Sequence, residues 1–325
     1  MLERDLSISI ITYNRAARLS STLEQLAASP FAQCAITILD NCSTDETPAV
    51  CAAYTARFPD LRVVRHTRNI GAPPNYLRAV ELSEAKYSWI LCDDDTFDFS
   101  TCGDVIAAIE SAEADLIYVG GTEHVGWPAG VMRDAASLVA ITPRYLLELS
   151  FIPSIIFRSA LFDSSCMTLG YRMVAEMYPH FPFLLKTIDE NVSIYLSAAR
   201  IVYRGADENV LSSLTWYAAW VSSCARIRDP KLRRLSMFER PQRTSWARSM
   251  AEWIMSEKLD HPERIGESLR RIRAAMSLDQ RLVLYALHPL AVIPTSAYRL
   301  ARLLRRKSKG RSYTEEKKPF DLFRL

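Results

Sequence analysis

The first hundred residues alternate short apolar runs rich in β-branched residues with segments of helical periodicity. Leu6 to Thr12 is an Ile-rich strand pattern; Arg18 to Ser29 follows with Leu19, Leu23, Leu26 and Ala27 on one helical stripe. Ala35 to Asp40 reads as a second strand, Asp45 to Phe58 as a helix with Pro48 in its first turn, and Leu61 to Arg65 as a third strand. Asn75 to Glu84 predicts a helix and Tyr87 to Cys92 a fourth strand. Strands alternating with helices imply an α/β fold, a mostly parallel sheet covered on both faces. Ligands of such sheets collect beyond the carboxyl ends of the strands, so the residues just after each strand carry the functional reading.

Farther on, Ser100 to Glu110 predicts a helix and Asp115 to Val119 a buried strand. Gly120 to Arg133, with its glycines and a proline, predicts a mobile loop over the site. Ile152 to Phe157 reads as a strand, Tyr171 to Lys186 as mainly helical despite Pro179 and Pro182, and Ile201 to Arg204 as the last strand. From about Ser212 the pattern becomes long helical segments rich in Arg, Leu, Ala and Trp. This predicts a first domain over 1–211 and a helical C-terminal region over 212–325.

Composition narrows the function classes. With 49% hydrophobic and 24% charged residues the chain can bury a large core, and a net charge of +3 is too small to predict a nucleic-acid partner. Seven scattered cysteines without a Cys-x-x-Cys pair, several inside apolar runs, predict free thiols and a cytoplasmic compartment. The N-terminus enters a strand pattern at once, leaving no room for a signal peptide, and no apolar segment approaches the roughly 18 residues of a membrane span. The last helical pattern, Tyr298 to Lys307 with Lys309 and Arg311 beyond, is basic and amphipathic. It reads either as a peripheral contact with an anionic membrane or as a solvated basic tail.

Three strand ends carry candidate chemistry. Thr12-Tyr13-Asn14-Arg15 has no glycine, which argues against a dinucleotide fold, and no phosphate loop of the G-x-x-x-x-G-K-[ST] kind exists. A ligand there would touch side chains, with Tyr13 available to stack on a base. Asp40-Asn41-Cys42-Ser43-Thr44-Asp45 is a run of short polar groups suited to a base or ribose, and equally to capping the next helix. Asp93-Asp94-Asp95 is the sharpest signal. Adjacent carboxylates repel by roughly 1 kcal/mol per close pair in water and by several times that in a cleft, so they need a cation. Oxygen ligands suit Mg²⁺ or Mn²⁺.

These motifs, with Arg68-Asn69-Ile70-Gly71 and Asn75 between them, occur in an order and spacing that strongly resembles glycosyltransferase family 2. The match is close over about the first 120 residues. The resemblance implies a GT-A fold, Rossmann-like, and a sugar transferred from a nucleotide-diphosphate sugar donor. It implies that Tyr13 stacks on the base, that Asp40 binds base or ribose, and that Arg68 lies beside that pocket, with Thr12, Asn14, Arg15, Asn41 and Asn75 around the nucleotide. The acidic triplet would match the family's D-x-D element in either of two registers. In one, Asp93 pairs with Asp95; in the other, Asp93 meets the ribose and Asp94 the metal. All three aspartates are therefore candidate metal ligands.

An acceptor hydroxyl attacking the anomeric carbon loses its proton to a base. Where family members commonly carry a Glu-Asp pair, this chain reads Glu176-Met177-Tyr178-Pro179-His180, so His180 or Glu176 would serve. The resemblance further implies an inverting hexosyl- or deoxyhexosyltransferase acting once on a glycan or lipid-linked acceptor. Surface polysaccharide assembly, O-antigen or capsule, at the cytoplasmic face of an inner membrane is the setting it suggests. The competing readings are a sugar nucleotidyltransferase and a catalytically inactive nucleotide-sugar-binding module.

Overall fold

The computed structural model describes residues 2–130, 134, 137–138, 145–190, 192–205, 213–237, 243–294 and 296–297. The chain divides into two compact units, Met1–Asp207 and Glu208–Leu325.

In the first unit a helical turn α1 (Leu2–Asp5) leads into β1 (Leu6–Thr12). There follow α2 (Ala16–Ala27), β2 (Ala35–Asp40), α3 (Thr47–Tyr54), β3 (Leu61–Arg65), α4 (Ala72–Glu81) and β4 (Tyr87–Cys92). β5 (Thr96–Phe97), α5 (Gly103–Ser111), β6 (Leu116–Tyr118) and the short α6 (Thr122–Val125) come next. β7 (Ile155–Arg158), β8 (Ile194–Leu196) and β9 (Val202–Tyr203) complete the strands of this unit. The main sheet runs β3-β2-β1-β4-β7-β6-β8. It is mostly parallel; only β7 is antiparallel to its neighbours β4 and β6. This is the expected α/β architecture.

Parallel strands buried on both faces need apolar residues throughout. Leu6, Ile8, Ile10, Trp89, Ile90 and Leu91 are all buried accordingly. The α2 stripe Leu19, Leu23 and Leu26 packs into the same core. Phe31, Trp89 and Phe99 meet edge to face there, and the Trp89 indole donates to the Pro153 carbonyl at 2.8 Å.

Strand register positions the site. Thr12 of β1 pairs with Asp40 of β2, and Ile11 pairs with Cys92 of β4. The carboxyl ends of three neighbouring strands are therefore level, which brings the residues after β1, β2 and β4 to one edge.

Several expectations are corrected. Ile152 to Phe157 is not one strand: Ile152–Ser154 is a 3-10 turn, because Pro153 cannot donate to a ladder, and the strand begins at Ile155. The helix expected from Tyr171 to Lys186 breaks. One helix ends at Arg172, a 3-10 turn covers Val174–Glu176, Met177 stands at φ 63°, and a new helix runs Phe181–Asp189. Pro179 and Pro182 explain the interruption. Gly120 to Arg133 is not an open loop over its described part. It contains α6, buries Trp127 against Tyr118, and ties the Gly130 amide to the Leu196 carbonyl at 2.7 Å; residues 131–133 lie outside the described residues. The last strand, β9, leaves the main sheet and pairs antiparallel with β5.

The second unit contains helices Ser213–Cys224, Pro230–Met237, Arg243–Asp260, Ile265–Ala275 and Leu278–Val292. Leu214, Val221, Ile254, Leu269, Ile272 and Leu284 are buried within it. Ser277 and Gln280 form a capping box that starts its last helix. The basic segment expected from Tyr298 onward lies outside the described residues.

Candidate active site

The loop after β1 turns at Asn14, which adopts φ 53°, a left-handed conformation that asparagine tolerates better than most residues. Its amide donates to Ser43 Oγ at 2.9 Å, and its Oδ1 accepts from the Thr44 amide at 2.7 Å. The β1 and β2 loops are thereby stitched together. Asp45 strengthens the seam by accepting from the amides of Ala16 and Thr47, each at 3.0 Å, at the starts of α2 and α3.

Asp40 is buried at the end of β2. One carboxylate oxygen accepts from the Ser43 amide at 2.9 Å; the other faces Arg65 Nε at 3.3 Å. Asn41 binds both ways to the next loop: its Nδ2 donates to Asn69 Oδ1 at 2.8 Å, and its Oδ1 accepts from the Ile70 amide at 2.9 Å. Asn75, also buried, donates to the Leu39 carbonyl at 3.2 Å and meets His66 Nε2 at 2.8 Å. Three residues expected around a nucleotide, Asn14, Asn41 and Asn75, thus use their amide groups to brace the loops. Tyr13 and Arg68 remain exposed at this edge. Thr12 is buried beside them.

The acidic triplet divides its labour. Asp93 is only 2% exposed and faces Arg15 Nη1 at 3.0 Å, and the same nitrogen reaches Asp94 Oδ2 at 3.1 Å. Burial pushes the Asp93 carboxyl above its usual range, against the pull of Thr12 and Arg15. Asp94 and Asp95 are part-exposed, and with the Cys92 thiol they place one ligand atom each within 4.8 Å of one another. At that spacing two ionised carboxylates repel by roughly 3 kcal/mol for an effective dielectric of about 20. Burial first, and Asp94 next, push the Asp95 carboxyl up to about 7. The Cys92 thiol is pushed well above its usual value by burial and then by the three aspartates, so it stays protonated at neutral pH. Asp93 is buried against Arg15, Asp94 shares that guanidinium, and Asp94 and Asp95 are the part-exposed pair of the triplet.

A strap closes the other side of this turn. β5 continues directly from the triplet and pairs with β9, whose end brings Gly205 onto the acids. The Gly205 amide donates to Asp95 Oδ1 at 3.1 Å, and a Cβ at this position would fall 1.5 Å from the Asp94 carbonyl oxygen. Only glycine permits this approach. Sequence reasoning did not single out Gly205, Arg65 or His66, and read Cys92 only as the end of the fourth strand. A glycine directly after the last strand pattern was the one signal available.

His180 lies in the interior, 3% exposed, with Nε2 against the Ser150 carbonyl at 3.0 Å and its ring 5.6 Å from both Tyr76 and Tyr178. Burial drives its pKa down to about 4, so the ring is neutral at physiological pH. Glu176, four residues earlier, is part-exposed at the end of its 3-10 turn. All seven cysteines are free, and no helix among the described residues is long and apolar enough to cross a membrane.

Comparison with known proteins agrees with this geometry. Residues 7–177 match the family described as Glycosyl transferase family 2. The chain is 28% identical over 223 residues to poly(ribitol-phosphate) beta-N-acetylglucosaminyltransferase TarS of Staphylococcus aureus (strain Mu50 / ATCC 700699), covering 66% of this chain and 35% of that protein. It thus spans about a third of the length of the curated relatives it matches. Among solved structures, S. aureus TarS 1-349 in complex with UDP-GlcNAc superposes with a TM-score of 0.58 at 18% identity, covering 95% of this chain and 93% of that one. The complex of the same fragment with UDP gives 0.55 over the same coverage. At this identity the likeness concerns the fold.

Proposed function

The chain belongs to glycosyltransferase family 2, and we propose that it moves one sugar from a nucleotide-diphosphate sugar to a hydroxyl of a glycan or lipid-linked acceptor. The observation that carries this reading is the acid turn at the carboxyl end of β4, where Asp94 and Asp95 converge within 4.8 Å beside the level ends of β1 and β2. The residues fit a divalent cation, Mn²⁺ or Mg²⁺: two carboxylates stand close, and one of them, Asp95, is held protonated to about pH 7 by burial and by the neighbouring Asp94 charge. Bound there, such an ion would neutralise the negative charge that grows on the leaving diphosphate.

The protein's own residues have distinct tasks. Tyr13, exposed beside the β1 end, offers a face for the base, and Arg68 offers a cation at the same edge. We assign contact with base or ribose to Asp40, which Ser43 and Arg65 hold at the end of β2. Asp93 and Arg15 keep the acid turn in shape, and Asn14, Asn41 and Asn75 hold the three loops in fixed relation. We assign proton acceptance from the acceptor hydroxyl to Glu176 ahead of His180, whose ring is sealed among Tyr76, Tyr178 and Ser150.

The donor named for the TarS complexes makes UDP-N-acetylglucosamine the first candidate. Hexosyl or deoxyhexosyl transfer with inversion, in surface polysaccharide assembly at the cytoplasmic face of an inner membrane, is the setting we propose. The test is a panel of nucleotide sugars with Mn²⁺, scored for free nucleoside diphosphate. Release with one donor, abolished by chelation and by Asp94→Asn, is expected. Release of pyrophosphate would mark a nucleotidyltransferase, and no turnover with any donor an inactive binding module; either result refutes the proposal.

A further inference from the structure

The last described helix, Leu278–Val292, is apolar on two sides. One side packs on the Arg243–Asp260 and Ile265–Ala275 helices and buries Leu284. The opposite side is open to solvent: Leu278 is 73% exposed, Leu282 61%, Tyr285 57% and Val292 67%, with Ala286 and Pro289 exposed between them. At about 100° per residue these six positions fall within an arc of roughly 120°, the width of a helix face that normally meets a core. A soluble surface seldom carries such a continuous apolar stripe unless something covers it.

Charge in the sequence indicates what covers it. Between Asp279 and Glu315 there is no acidic residue, while Arg299, Arg302, Arg305, Arg306, Lys307 and Lys309 follow the helix closely in sequence. We propose that the exposed face of the Leu278–Val292 helix, acting with this basic run, seats the protein on an anionic lipid bilayer. The apolar stripe enters the boundary between headgroups and acyl chains, and the cations meet lipid phosphates. Stable attachment of a peripheral protein generally needs two such signals, and here they adjoin in the chain. The inference deepens the membrane location proposed above, and its test needs no donor and no metal, so its failure leaves the transfer reading intact.

The experiment is flotation of the full chain with phosphatidylcholine vesicles, with and without phosphatidylglycerol, at low and high salt. The wild type is expected to float only with the anionic vesicles and to be released by salt. Leu282→Ser with Tyr285→Ser, both at exposed positions, is expected to weaken binding about tenfold or more. Arg305→Glu with Arg306→Glu, a second variant independent of the helix, is expected to do the same. Unchanged melting curves show that both variants remain folded. Equal binding to neutral vesicles, or retention of binding in the serine variant, overturns the proposal. So does a wild-type dimer in solution that the serine variant dissolves, which would make a second copy the occupant. Increased proteolysis beyond residue 298 in the serine variant, with lipid binding unchanged, would make the chain's own tail the occupant and also overturns it.

Discussion

Gly205→Ala tests whether the strap from β9 holds the acid turn in working shape. The added Cβ would lie 1.5 Å from the Asp94 carbonyl oxygen and 2.6 Å from its carbon, whereas ordinary contact begins near 3.4 Å. The strand end and the turn must therefore separate by about 2 Å (3.4 − 1.5), because close-packed backbone has no slack to absorb the difference. Divalent ions tolerate ligand displacements of only about 0.2 Å, so Asp94 and Asp95 could no longer act together. The amide that orients Asp95 is lost with the same movement. Removing an outer partner of a metal ligand typically costs about 10–100-fold in affinity, and overpacking costs about 1–3 kcal/mol in stability. The assay is Mn²⁺ titration followed by electron paramagnetic resonance, with urea unfolding alongside. Gly103→Ala, where nothing lies within 4 Å of the new methyl, is the control and should leave both readings unchanged. If Gly205→Ala binds Mn²⁺ as tightly as the wild type, the strap has no part in the site.

The other predictions concern charge at and near the same edge. Asp95, raised to about 7 from an unfolded value near 3.8, must release a proton to receive a cation. Mn²⁺ affinity should therefore climb about tenfold per pH unit below 7 and level off above it; in the metal-free protein the same group lowers stability as pH rises from about 4 to 7. A flat affinity between pH 5.5 and 8 would refute this. Arg15→Ala leaves Asp93, 2% exposed, without its cation and should cost roughly 3 kcal/mol at pH 8. Because burial raises the Asp93 carboxyl, the loss should shrink as pH falls and Asp93 takes up a proton, so a loss independent of pH in urea melts would contradict the pairing. His180, depressed to about 4, should show no imidazole titration by NMR between pH 5 and 8; its folded value lies below the unfolded one, so it weakens the fold only as pH falls below about 6.5. An inflection near 6.5 would place it in solvent instead.

Local pattern alone determined the strands β1 to β4, the α2 stripe and the arrival of three aspartates at a strand end. Each of these is written in a few neighbouring residues: short β-branched apolar runs for the strands, a helical spacing of leucines, and three consecutive acids directly after an apolar run. Only tertiary structure decided what those end residues do. The triplet is uniform in sequence, yet Arg15, from the β1 loop, pairs with Asp93 and Asp94, the Gly205 amide holds Asp95, and only Asp93 is fully buried. The hydrogen bonds by which Asn14, Asn41 and Asn75 join neighbouring loops exist because strand register places their partners opposite them. The reversal of β7, the burial of His180 and the approach of Gly205 to the acids likewise depend on segments tens of residues away. Periodicity reports which face of an element is covered, but the identity of the covering group is set by long-range register and packing, which no local window contains.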